Sequence, residues 1–192
     1  MEKEFIPKKS FLKAEALELV REGKIDPAIE KYRQYLGLNP LDDDAWCGLG
    51  GAYRRKDVIN QAINSYEKAY KINPQSTYAL VNIVSLRAAR HSKQDQEILE
   101  KTYLPEAIKL VKRIIEKGDG DHWTWYDLAT VQLIQGDIEE ARRTFNYAAE
   151  LTPQTAKEHF RTVLNNLNFL KEHNPSIKGI SDIIKIIKQH LD

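Results

Sequence analysis

With 192 residues, 42% of them hydrophobic and 30% charged, the chain can form one ordinary domain or a short repeat array, and it is too apolar to be disordered throughout. Its 29 Lys and Arg nearly cancel 28 Asp and Glu, leaving a net charge of +1, so bulk electrostatics points to no polyanionic partner. The single cysteine, Cys47, excludes an internal disulfide and cannot by itself build a thiolate metal site.

The opening residues, Met1 to Ser10, hold no apolar run, and no later stretch reaches the roughly 18 apolar residues of a membrane helix, so a cytoplasmic protein is the expectation. The first predicted helix carries Leu12, Ala16 and Leu19 at helical spacing and stops at Gly23, which tolerates the left-handed conformation of a helix end. Asp26 suits the cap of the second helix and Pro27 its first position; Ala28 and Tyr32 follow, and Asn39-Pro40 ends it. The third helix carries Trp46, Leu49, Gly50 and Tyr53 behind the acidic run Asp42-Asp43-Asp44. At a helix start, carboxylates cap N–H groups and favour the dipole, a structural role rather than a catalytic one. Ala62, Tyr66 and Ala69 mark the fourth helix, which Asn73-Pro74 ends, and a fifth centres on Leu80.

The polar segment 91–104 comes next, where Lys93, Asp95, Glu97, Glu100 and Lys101 outnumber Ile98, Leu99 and Tyr103. It is expected to project from its hairpin, extended or as extra helix, with Pro105 opening the helix that holds Ala107. Trp125, Leu128 and Ala129 mark the following helix. Gly136-Asp137 repeats the Gly-then-Asp stop and start, before Ala141, Phe145, Ala148 and Pro153. Two last helices, 156–171 and about 181–191, close the chain; Ile180, Ile183, Ile184, Ile187 and Leu191 share one face of the second, with Ile177 and Ile186 off it.

These elements repeat. Ala28, Ala62, Ala107 and Ala141 are spaced 34, 45 and 34 residues apart, while Leu12, Trp46, Leu80 and Trp125 are spaced 34, 34 and 45. The eleven extra residues therefore lie between the two helices of the third repeat. Ala16, Gly50 and Ala129 are small enough to meet Ala28, Ala62 and Ala141 across a close helix pair, and Tyr32, Tyr66 and Phe145 fill the gap to the next pair, each worth about 1.5–3 kcal/mol of burial. The second repeat, Trp46-x2-Leu49-Gly50-x2-Tyr53 with Ala62, Tyr66, Ala69 and Pro74, resembles the tetratricopeptide repeat family. The others depart from that pattern, notably at Gln132 and Arg87, where the family has Tyr.

The resemblance implies an all-α fold: a right-handed α-solenoid of stacked helix-turn-helix hairpins with a C-terminal capping helical pair. It divides the chain into a tail, 1–8; four repeats, 9–42, 43–76, 77–121 with the insertion near 91–104, and 122–155; and a degenerate capping pair, 156–192. A single hairpin cannot bury its second face, so stacking is obligatory.

No enzyme motif is present. His91, His122, His159, His173 and His190 show no metal-ligand spacing on one helix, and Gly48, Gly50 and Gly51 lie inside a helix rather than in a phosphate loop. No catalytic, cofactor-binding or metal residue is expected. Gly50 reads as a close-packing position, and Gly48 and Gly51 as open groove space. Function then falls to a surface: the resemblance implies a protein-interaction scaffold whose first helices line a concave groove for a peptide or partner protein. Its lining would be basic at one end, with Lys13, Arg21, Arg54 and Arg55, and aromatic towards the other, with Tyr78, Trp123, Tyr126 and Phe160 beside Arg161. Asn82 between them could clamp a peptide backbone. Such a groove suits a ligand with an acidic segment. The family members that hold a chaperone's C-terminal carboxylate use a Lys and Asn pattern that is met here only at Lys13 or, one repeat later, at Asn82, which argues against that mode. A helical-repeat RNA binder is the alternative, which the near-neutral charge disfavours; a regulatory subunit of a larger assembly is a second. Ile177 and Ile186 suggest self-association through the C-terminal helix.

Overall fold

The computed structural model describes residues 9–191, so the expected tail, 1–8, lies outside them. Among the described residues every regular element is helical, and the chain is an α-solenoid of helical hairpins that divides into two compact units, the first ending at Ala79 and the second starting at Leu80.

In the first unit, α1 (Lys9–Arg21) pairs with α2 (Ile25–Leu38), α3 (Asp43–Arg55) pairs with α4 (Ile59–Ile72), and α2 packs on α3. Small residues set the spacing: Ala16, Ala28, Ala45 and Ala62 are fully buried, and a Cβ on Gly50 would lie 2.9 Å from the Tyr66 ring. Tyr32, Leu36, Leu49 and Ala52 fill the joint between the two hairpins. α2 begins at Ile25, two residues before the expected Pro27 start, and Asp26 sits in its first turn rather than at the cap. The acidic run is structural, as its position suggested: Asp42 accepts the Ala45 N–H at 2.8 Å as the cap of α3, and Asp43 accepts from the Asn73 amide at 2.8 Å.

α5 (Thr77–Arg90) crosses the unit boundary and is buried from Ala79 to Ala89. The second unit continues with α6 (Lys93–Ile98), a π-helical turn (Leu99–Tyr103), α7 (Leu104–Glu116), α8 (His122–Gln135), α9 (Ile138–Leu151), α10 (Lys157–His173) and α11 (Ile180–Lys188). α7 packs on α8, α8 on α9, and α11 on both α10 and α9. Ala107, Ala129, Ala141 and Phe145 are fully buried at the positions the repeat assigns them.

The segment 91–104 is helical, one of its two expected forms, and it is anchored through two buried residues, Asp95 and Leu99. Asp95 is 0% exposed and accepts from Arg87 at 2.8 Å, from Arg90 and from Ser92, which also caps α6. Arg87, the departure from the aromatic of the repeat pattern, is thus the counterion of the insertion, and its guanidinium also lies 5.2 Å from the Tyr103 ring centre. The helix runs on through Pro105 because the π-turn absorbs the break: Leu104 N–H donates to the Leu99 carbonyl five residues back, and Pro105, which has no N–H, follows as one of the first residues of α7.

On α11, Ile180, Ile183, Ile184 and Ile187 are buried, as their spacing predicted. Gly179 makes the approach possible: its φ is 79°, and a Cβ there would lie 2.5 Å from Ile138 of α9. Ile177 and Ile186, expected as surface for self-association, are half-buried.

Candidate functional site

The first helices of the hairpins place most of the expected groove residues, and each unit has its own surface. In the first unit α1 and α3 carry the basic set. Arg21 is exposed and pairs with Glu18 one turn back. Arg55 is exposed at the last turn of α3, with Nη1 donating to the Val20 carbonyl of α1 at 2.8 Å; this aims the guanidinium across the end of α1. Lys13 is not available in the same way. Its ammonium donates to both carboxylate oxygens of Asp42 at 2.9 Å, tying α1 to the start of α3. Burial alone would raise the Asp42 carboxyl, but hydrogen bonds from Lys13, Tyr35 and the Ala45 N–H outweigh it and hold it below its ordinary range.

Gly48 overturns an expectation. It is not open groove: a Cβ there would lie 2.5 Å from the tip of the Tyr32 ring, so Tyr32 reaches through from α2 and occupies the space that a side chain on α3 would take. Gly51 is less tight, since a Cβ there would lie 3.5 Å from the Tyr66 hydroxyl. The floor of this surface is therefore two tyrosine tips, with burial pushing up the pKa of Tyr32 and, further, that of Tyr66. Tyr78 stands edge-on to Tyr66, ring centres 6.0 Å apart, and is 55% exposed. Arg54 is half-buried beside Tyr66 and Tyr78, and loss of solvent pulls its pKa down. Cys47 is 7% exposed; burial, then the nearby Asp43, Asp44 and Asp42, push its thiol up to about 12.

In the second unit the expected aromatic lining is largely core. Phe160 is fully buried and stacked on His190, ring centres 4.9 Å apart, and Tyr126 is 4% exposed, its hydroxyl oxygen accepting from Thr152 at 3.2 Å. Asn82 is buried and already partnered, so it is not an open backbone clamp. These three fall on faces that look alike in sequence whether a further helix covers them or not. Arg161 is exposed and pairs with Glu158.

Of the aromatics expected to line this unit, only Trp123 remains half-exposed, and it sits in a cluster the sequence did not single out. His122 Nε2 lies 3.0 Å from His159 Nδ1, the two rings stack with centres 5.0 Å apart, and Trp123 lies 4.9 Å from His159. Burial lowers the His122 pKa, and the neighbouring His159 adds to this while Asp121 opposes it. The two histidines are 37 residues apart, close to one repeat length, and that was their only sequence signal. Among the described residues no group of three or more His, Cys, Asp or Glu could hold a metal ion, and no helix is long and apolar enough to cross a membrane.

The model of the tetratricopeptide repeat matches residues 13–79. Anaphase-promoting complex subunit 3 of Schizosaccharomyces pombe is 27% identical over 122 residues, which are 63% of this chain and 16% of that protein. This chain thus spans a small fraction of that relative's length. Among solved structures, TTC0263, a thermophilic TPR protein of Thermus thermophilus, superposes with a TM-score of 0.61 at 16% identity over 96% of this chain and 99% of its own. YrrB, a TPR protein with an unusual peptide-binding site, superposes with a TM-score of 0.50 at 17% identity over 93% and 85%.

Proposed function

We propose that this chain, whose residues 13–79 match the tetratricopeptide-repeat model and whose fold is that of solved TPR proteins, is a non-enzymatic interaction scaffold that binds a peptide or partner protein on the first-helix faces of its hairpins. The observation that carries this reading is the surface of the first unit, where an exposed tyrosine, Tyr78, and two exposed arginines, Arg21 and Arg55, belong to first helices and their boundary. Large exposed aromatics and arginines are the residue types that dominate binding energy at interfaces. An acidic segment suits the arginines, because guanidinium groups bind carboxylates through paired, charge-assisted hydrogen bonds. In the second unit Trp123, backed by His122 and His159, offers an anchor point for an apolar side chain. The peptide-binding site of YrrB, a neighbour of the same fold, supports the class of ligand rather than its place.

The test is affinity capture from extract with the immobilised chain, comparing wild type with Arg55→Glu and Trp123→Ala after circular dichroism shows unchanged helicity. A discrete protein retained by wild type and reduced at least about fivefold by either substitution, roughly one kcal/mol of a binding free energy near about −8, is expected. Equal retention by wild type and both variants overturns the placement on these faces.

A further inference from the structure

The second unit holds a half-open cleft of about 830 Å³, well within the size range of ligand sites, and the insertion builds one of its walls. Gln96, Leu99 and Glu100 come from α6 and the π-turn; Leu104, Ile108 and Lys109 from α7 continue the wall. The end of α8 and the 174–178 segment form the other sides. Two departures from regular structure and a buried amide meet there. The π-turn itself lines the cleft, and such turns concentrate at functional sites. His91 adopts a left-handed backbone, φ 48°, which a non-glycine residue holds only when its surroundings enforce it. Asn174 is a buried amide between α10 and α11.

His91 and Asn174 are linked by hydrogen bonds. The Asn174 amide nitrogen donates to the Ala88 carbonyl at 2.8 Å and meets His91 Nδ1 at 3.0 Å, and the Gln96 amide nitrogen meets the same Nδ1 at 2.9 Å. Bonds to the Ala88 carbonyl and to Ser176 fix the Asn174 amide, so His91 Nδ1 accepts from it, while the Gln96 amide nitrogen lies within reach of both ring nitrogens, 3.2 Å from Nε2. The polar floor is thus tied across α5, α6 and the segment after α10, while Leu99, Ile108, Ile134 and Ile177 supply apolar wall.

We propose that this cleft is a second binding site, built by the insertion, for a short aliphatic peptide segment of a partner protein that also carries a carboxylate. It lies at the opposite end of α8 from Trp123 and does not rest on the reading of the first-helix surfaces. Two features choose the ligand. Lys109 and Lys178 outnumber Glu100 around the cleft, which favours a negative group. The last carbonyls of α8, at Ile134 and Gln135, close a helix with no N–H of that helix to receive, so they suit the N–H groups of a peptide backbone, which a fatty acid or a simple anion lacks.

The probe is a phage-displayed library of random nonapeptides, selected on the full chain and counter-selected on the Ile108→Glu variant. Selected sequences are then synthesised and titrated into isotopically labelled protein, with dodecanoate titrated in parallel. The expected result is a family of sequences with two or more aliphatic residues and an Asp or Glu. Their binding shifts the amides of 96–109 and 134–136, falls at least tenfold with Ile108→Glu and with Lys178→Glu, and is unchanged by Arg55→Glu in the other unit. The absence of clones that depend on Ile108, a consensus without acidic residues, or shifts mapping elsewhere overturns the proposal. Saturation of the cleft by dodecanoate with no peptide bound overturns it too, in favour of a lipid-like anion.

Discussion

The carboxylate of Asp95 should be among the most stabilising single side chains of the second unit. It is fully buried, with the Arg87 Nη1 at 2.8 Å and further hydrogen bonds from Arg90 and Ser92, and the Arg87 side chain itself is only 11% exposed. Removing one partner of such a pair leaves a buried charge uncompensated, which costs about 3–5 kcal/mol. Asp95→Asn keeps the shape and removes the charge, so it should destabilise the second unit by roughly that amount, with a smaller cost if Arg87 swings out past Tyr103. Replacing the pair by apolar residues, Arg87→Met with Asp95→Leu, should recover most of the loss, because the two buried charges then leave together and the partly exposed Arg90 can turn to solvent. Acid should act on the same group. Burial alone would raise the Asp95 carboxyl, but hydrogen bonds from Arg90 and Ser92 and the charges of Arg90 and Arg87 outweigh it and depress the folded pKa. Its stabilisation is therefore complete above the unfolded value of about 3.9 and is lost as pH falls through the lower folded value. Native-state hydrogen exchange of the α5–α7 amides across a pH series measures both effects locally, which matters because two units need not unfold as one. An Asp95→Asn protein within about 1 kcal/mol of wild type, or a double variant no better than the single one, would refute the reasoning.

Gly48→Ala should destabilise the first unit, since the added Cβ meets Tyr32 at 2.5 Å and overpacking costs about 1–3 kcal/mol against a helix-propensity gain of about 1. In a Tyr32→Leu background the same change should be stabilising by about 1 kcal/mol, a reversal of sign that urea denaturation reads directly. Cys47, with its thiol pushed up to about 12 and nearly no exposure, should resist a disulfide reagent at about pH 8 in the native protein and react promptly in urea; fast native labelling would contradict the packing of α3. Asp42→Ala should cost about 1–2 kcal/mol through loss of the α3 cap and free α1's Lys13 from its tie to α3, an effect seen as faster exchange in the first turn of α3.

The fold was legible because its determinants are periodic. Small residues at Ala28, Ala62 and Ala141, the Asp42 cap and the face Ile180–Ile183–Ile184–Ile187 are local patterns, and each does in the structure what its spacing implied. The sites were less legible because periodicity assigns a residue to a face without saying what covers that face. Phe160, Tyr126 and Asn82 share the register of groove residues yet are buried. Gly48 looked open because its occupant, Tyr32, comes from the preceding hairpin. Asp95 sat in a polar run that read as a projecting segment, and only its meeting with Arg87 and Arg90 makes burial tolerable. The pairing of His122 on α8 with His159 on α10 depends on the rotation between one hairpin and the next, which no single-helix pattern contains.

The central claim is that a polypeptide partner docks on the face of the first unit that carries Tyr78. Site-specific photo-crosslinking tests it most directly, with benzoylphenylalanine replacing Tyr78, which is exposed on the proposed face, or Asn64, which is exposed on the second helix of its hairpin. Irradiation in extract should give a discrete protein adduct from position 78, competed by excess unlabelled wild-type chain, and none of that size from position 64. An adduct of equal yield from both positions, or from position 64 alone, would contradict the account.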